Sequence, residues 1–343
     1  MSTTDSARVQ PPPERQLPTG LGGRLARRRR AGMTGDGAAS DTVADRGIGM
    51  LLILPAVALL AIFIIYPLVK AVGYSFLNWD GVGPKTSAGL SNYTALWKNS
   101  VERSALEHAG ILIVFFAIIP TFLGLVAAAL IARIPRKGLV VYRVIYFLPQ
   151  VLVTVVVAIV WTWLLAPSGG GTVNAIINLF GFHVHTAWLG DFSTAMISLG
   201  LIAVWLDFGL CFVLFLSGVQ RISPSLYEAA RVDGASLFDE FFRITVPMLR
   251  REIGVALTIT TVASLQSFTL IYAATNGGPG NATIVPGLLV YRDAFQLGAV
   301  GSASAIGVAL ALLTFIFTVV IRMLLEPPGN RRRMRLRLRP RRA

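Results

Sequence analysis

The chain has 343 residues, 54% of them hydrophobic and only 14% charged, with a mean hydropathy of +0.66. A soluble domain carries about 25% charge, so this composition excludes an ordinary soluble protein. The net charge of +14 invites a nucleic-acid reading, but most of it sits in the two termini, where basic residues beside membrane spans set topology; no nucleic-acid partner is expected.

Residues 1–46 combine Pro11–Pro13 with the run Arg27–Arg30 and show no apolar periodicity. They are predicted to be a disordered basic tail. No small-residue cleavage site clearly follows the first apolar run, so that run is expected to stay as an anchor rather than be removed as a signal peptide. The apolar runs are continuous rather than alternating, which makes them helices and not barrel strands. Six spans are predicted, at about Ile48–Val69, Ala109–Ala132, Val144–Leu165, Ala195–Ser217, Ile253–Ala273 and Ala303–Leu324. The fold class is therefore an all-α integral membrane protein with a six-span domain over 47–325 and an Arg-rich tail over 326–343. Of the 31 Lys and Arg residues, 26 fall in 1–46, in Arg133–Arg143, in 220–251 and in 322–343. That bias places these segments and both termini on the cytoplasmic side.

The cytoplasmic loop 220–251 is itself amphipathic. Ser223-Pro224 reads as a cap followed by Pro at the first helical position, with Ser225 and Glu228 as an alternative capping box. The helix should run to Val232 and stop at Asp233-Gly234, where Gly suits a positive-φ cap. Ser236 should cap a second helix, with Asp239 and Glu240 near its positive end. Leu237, Phe238, Phe241, Phe242 and Ile244 form its apolar face, and Pro247 is expected to end or kink it. Ala229-Ala230 offers a small-residue surface where another backbone could approach. An apolar-faced element in the cytoplasm needs a partner or a membrane surface to cover it.

Glu228-Ala229-Ala230, three residues, Gly234, nine residues, Ile244 and then Pro247 resembles the EAA loop of permeases in binding-protein-dependent ABC importers, with Val246 where Leu is usual. Asp233-Gly234-Ala235 and Phe242-Arg243-Ile244-Thr245 are similar to the carbohydrate version, the maltose and glycerol-3-phosphate type. Tyr66-Pro67, Asn92-Tyr93, Leu148-Pro149, Gly277-Gly278-Pro279 and Tyr291 extend the resemblance over about 48–325. The resemblance implies a type I ABC importer permease fold in a bacterial cell membrane. It implies a second permease subunit, a cytoplasmic ABC ATPase dimer and an extracytoplasmic solute-binding protein that delivers a carbohydrate. Glu228, Ala229, Ala230, Asp233, Gly234, Ile244 and Pro247 would couple the spans to the ATPase, with Glu228 facing basic groups there.

No cofactor is expected on this chain. It contains no Gly-x-x-x-x-Gly-Lys-[Ser/Thr] phosphate loop, so ATP would be bound by the partner ATPase, and no nucleophile–base arrangement suggests an enzyme. His183 and His185 read as a solvated outer loop rather than a metal site, and Cys211 alone permits no intrachain disulfide. Asp207 lies mid-span, where a charge costs about 2.5–3.5 kcal/mol on insertion scales, so it should face a cavity or a partner. Asp207, Ser264, Gln266 and Ser267 are the candidates for the substrate path, with helix packing as the competing role. Trp161 and Trp163 read as interfacial anchors. The alternative function is an ion-coupled secondary transporter, which predicts internal repeats and paired intramembrane charges; no convincing repeat is visible.

Overall fold

The computed structural model describes residues 52–132, 138–167 and 171–325. The predicted tails 1–46 and 326–343 lie outside these residues. The chain divides into two units after Pro67. The first is described only over 52–67, and everything below concerns the second unless α1 is named.

Helix α1 runs from Leu52 to Tyr74, and none of its apolar window is buried. A short hairpin follows, with β1 Leu77–Asn78 antiparallel to β2 Thr86–Ser87. Next come α2 Ser91–Lys98 and the 32-residue α3 Ser100–Ile131. Helices α4 Leu139–Val151, α5 Thr154–Leu164 and α6 Thr172–Leu179 precede α7 Ala195–Val219. Then come α8 Pro224–Val232, α9 over 237–248, α10 Arg250–Leu265 and α11 Phe268–Ala274. Helices α12 Pro286–Tyr291 and α13 Val300–Leu325 complete the described chain.

Among the described residues, α1, α3, α7 and α13 are long and apolar enough to cross a membrane. Two bent pairs raise the number to six if each counts as one span. The third predicted span is not the single rod 144–165. It is α4 and α5, which meet at 94°. Pro149 removes one helical N–H, and α4 ends within three residues of it, at extended Leu152 and Val153. The fifth is α10 and α11, bent by 45° where Gln266 and Ser267 leave helical geometry.

Proline is handled differently elsewhere. A turn of π-helix stands directly before Pro67, Pro120 and Pro247. In each case the residue preceding the proline donates its N–H five residues back: Tyr66 to Ala61, Ile119 to Val114 and Val246 to Phe241. Widening the turn moves the carbonyl that the pyrrolidine ring would strike, so the helix continues past the proline.

Helix α7 is the centre of the second unit. Its best apolar window is 61% buried, against 17% for α13. One cluster gathers Leu199, Ile202 and Ala203 with Leu112, Phe116, Ile271 and Leu288, and a second gathers Cys211, Phe212, Phe215 and Leu216 with Leu125 and Ala256. A helix apolar all round suits either a protein core or a membrane span, and α7 has most of its window in the core. Three glycines on α7 mark close approaches. A β-carbon on Gly200 would strike the Phe115 ring, on Gly209 the carbonyl oxygen of Tyr146 at 1.9 Å, and on Gly218 the side chain of Leu249 at 2.4 Å. Small residues of this kind let membrane helices pack backbone to backbone.

Between α1 and α2, Asn92 donates from Nδ2 to the carbonyls of Ser75 and Leu77, and the Tyr93 hydroxyl donates to Ser75 at 2.7 Å. The Gly277-Gly278-Pro279 segment closes on Thr283, whose hydroxyl donates to Gly278 and lies 2.7 Å from that of Thr275.

Candidate functional site

The loop 220–251 folds as two helices at a fixed bend. Ser223 stands in the N-cap position with Pro224 first in α8. Its hydroxyl lies 2.8 Å from that of Ser225 and makes no cap, and the alternative start at Ser225 is not taken. At the other end Gly234 adopts φ +82°. The Gly234 N–H donates to Arg231 and the Ala235 N–H to Ala230, at 3.0 and 2.9 Å. This pair of bonds is a Schellman cap, which the positive φ of glycine permits.

Two residues later a capping box opens α9. The Asp239 N–H donates to Ser236 Oγ at 3.2 Å, and the Ser236 N–H and hydroxyl donate to Asp239 at 3.1 and 2.6 Å. Those bonds, with Arg243 at 3.2 Å, hold the Asp239 carboxyl below its ordinary pKa. The stability this gives is present above the ordinary carboxylate range and is lost as pH falls through the lowered folded value.

The two helices are fastened to each other and to α7. Arg231 Nε donates to Glu240 at 2.7 Å, and the Tyr227 and Thr245 hydroxyls lie 3.0 Å apart. Glu240 is 1% exposed, and Arg231 is 54% exposed. The Glu240 carboxylate is the first cause of the raised pKa of Arg231. Leu249, 1% exposed, follows α9 and packs where Gly218 leaves room on α7. Pro247 does not end α9; the π turn over Glu240–Thr245 carries the helix through it to Met248. Within the predicted apolar face, Leu237, Phe238 and Phe242 are exposed, while Phe241 and Ile244 are half-buried.

The two faces of α8 differ. Pro224, Tyr227, Glu228 and Arg231 line a cavity of about 1120 Å³ shared with α3, α4 and α9. Leu226, Ala229, Ala230 and Asp233 recur at the same helical spacing on the opposite side, where all but half-buried Ala230 are exposed. Glu228 therefore does not share a face with the alanine pair.

The polar residues of the spans are partly brought together. Ser264 and Ser267 are buried and flank exposed Gln266 at the bend between α10 and α11. Asp207 is 7% exposed on α7, and its Oδ2 and the Ser264 hydroxyl have no hydrogen-bond partner among the described residues. Of the two tryptophans read as anchors, Trp161 meets Trp205 edge to face with ring centroids 5.7 Å apart, whereas Trp163 is 72% exposed.

Residues 120–326 match the family described as the binding-protein-dependent transport system inner membrane component. The chain belongs to this permease family. The permease is 33% identical over 276 residues to the probable ABC transporter permease YurN of Bacillus subtilis, covering 80% of this chain and 94% of that one. It is 33% identical to the trehalose/maltose transport system permease MalF of Thermococcus litoralis, covering 80% and 92%. A third relative is the diacetylchitobiose uptake system permease NgcF of Streptomyces coelicolor, 30% identical over 77% of this chain and 78% of that one. The fold is shared with a bacterial ABC transporter involved in import of the polysaccharide alginate, at TM-score 0.71 and 21% identity over 84% of this chain and 98% of that one.

Three contacts of the permease escaped sequence reasoning: Arg231 with Glu240, Tyr227 with Thr245, and Leu249 with Gly218. Each joins residues across the Gly234 bend or across a helix crossing, where no helical or strand period links them. The three glycines of α7 recur every nine residues, a regularity that could have marked α7 as the buried span.

Proposed function

We propose that this permease subunit translocates a sugar or sugar derivative in an ATP-driven importer. An extracytoplasmic binding protein would deliver the sugar, and a second permease would complete the pathway. A cytoplasmic ATPase dimer would drive the cycle. The observation that carries this reading is the loop 220–251, whose Glu228-Ala229-Ala230…Gly234…Ile244…Pro247 sequence coincides with a doubly capped bend tied to α7. The maltose- and chitobiose-system relatives support a carbohydrate cargo.

In this reading the Leu226, Ala229, Ala230 and Asp233 face of α8 enters a groove of the ATPase, where small side chains permit close approach. Glu228 and Arg231 brace the helix from behind, with Glu228 at the rim reaching basic groups of the ATPase. Gly234, Ile244 and Pro247 set the bend and the course of α9. Asp207, Ser264, Gln266 and Ser267 contribute to the sugar path, as acceptors and donors for hydroxyls. Both termini are cytoplasmic in a bacterial cell membrane, and the tails 1–46 and 326–343 flank a six-span domain over 47–325. The chain binds no ATP itself. Nothing in its fold or its relatives favours ion-coupled transport.

Glu228→Lys should insert at normal levels and abolish sugar uptake by the assembled importer. Wild-type uptake by a correctly inserted Glu228→Lys permease would overturn the coupling assignment.

A further inference from the structure

We propose that α6 lies in the membrane interface, on the side opposite the loop 220–251, with one apolar stripe against lipid acyl chains. The two sides of this helix are inverted. Thr172, Ala175, Ile176, Leu179 and Phe180 recur at the spacing of a single helix face, and all five are exposed. The inward side carries the polar groups. Asn174 is buried; its Nδ2 donates to the carbonyls of Ala166 and Thr186, and its Oδ1 accepts from Trp188 Nε1 at 2.7 Å. Asn178 donates to the Val184 carbonyl and accepts from the Val184 N–H. A helix at the surface of a soluble protein shows the opposite arrangement, with its polar residues outward. Leu179 is 85% and Phe180 77% exposed. Leaving such side chains wet costs about 25 cal/mol for each Å² of apolar surface.

The depth of α6 follows from its ties to α7. The Trp188 carbonyl accepts from the Thr194 and Ser198 hydroxyls at 2.9 and 3.2 Å, and Trp188 in turn holds Asn174. Helix α6 therefore stands level with the first turn of α7, at the end of that helix away from the loop 220–251. The 25 residues of α7 extend about 37 Å at about 1.5 Å each, more than the roughly 30 Å of a hydrocarbon core. Its first turn then falls where headgroups meet acyl chains, and interfacial helices bury an apolar face about 5–10 Å deep at that level. Residues 166–190 contain no Asp, Glu, Lys or Arg, so a soluble partner would find no charge there to steer it. Trp163, exposed at the end of α5, adds the indole ring that membrane interfaces favour. The inference does not depend on which solute is carried or on how the ATPase is coupled.

The test places the photoreactive residue p-benzoylphenylalanine at one position at a time in the assembled importer. The importer is held in phosphatidylethanolamine vesicles, and mass spectrometry identifies what each position captures. Ile176, Phe180 and, as the comparison, Val82 at the tip of the hairpin are all exposed, so none of the three replacements disturbs packing. Phospholipid should be the main product at Ile176 and Phe180, with a yield roughly tenfold above that at Val82 if the stripe is sunk among acyl chains. Capture chiefly of another subunit or of the binding protein at Phe180 would overturn the proposal, because the stripe would then be a protein interface. So would the absence of lipid product at both α6 positions, which would mean that the stripe faces water. Equal lipid yields at Phe180 and Val82 would also overturn it, since α6 would then lie no deeper than the hairpin.

Discussion

Two glycines show how one residue type serves opposite ends. At Gly234 nothing lies within 4 Å of where a β-carbon would stand, and the constraint is the backbone φ of +82°. Any L-residue there costs about 1–2 kcal/mol. Gly234→Val should therefore leave the amount of permease in the membrane unchanged and reduce uptake several-fold, with Gly234→Asn milder; wild-type uptake by Gly234→Val would show that the bend tolerates another geometry. At Gly209 the backbone is ordinary and the obstacle is the Tyr146 carbonyl, 1.9 Å from the added carbon. Gly209→Ala should part α4 from α7 and lower the midpoint of thermal unfolding, a loss seen in the amount of protein rather than in uptake per molecule. Buried charge gives a third test. Arg231→Ala should lower the same midpoint more than Arg243→Ala, because Glu240 is 1% exposed and Asp239 33%. Equal effects would mean that water reaches both pairs alike.

At the scale of elements, what could be read in advance was whatever depends on neighbours along the chain. The caps at Gly234 and Ser236 follow from residues three to five apart, and the structure has them where the sequence placed them. Pro247 and Pro149 were indistinguishable in sequence. The first is absorbed by a π turn and the second precedes a break, because the outcome depends on what packs against each helix. The 94° between α4 and α5 has a measurable consequence. Spin labels placed along 140–164 should change membrane depth at different rates on the two sides of Leu152. A single slope through the whole stretch would mean one straight span.

For the whole molecule, hydropathy located the long helices but started α3 at Ala109 where the helix begins at Ser100, and it could not rank the spans by burial. α13 and α7 are both apolar, and only tertiary packing separates 17% from 61%. The candidate site was legible to a similar degree: the loop and its bend were visible, its fastening to α7 was not. Orientation rests on the Lys and Arg bias. Alkaline phosphatase joined after Ala343 should be inactive and, inserted within 81–85, active; the reverse pattern would invert the topology.

The loop between α7 and α10 is also a mechanical part. Ala235 is the one residue between two interlocked caps, the two helices are bolted by an ion pair and a hydroxyl pair, and Leu249 is seated in the notch at Gly218. Few soft torsions remain along that route. A push on α8 then travels to α7 as through a stiff crank, with little of the stroke lost to bending, and the pivot belongs elsewhere in the molecule.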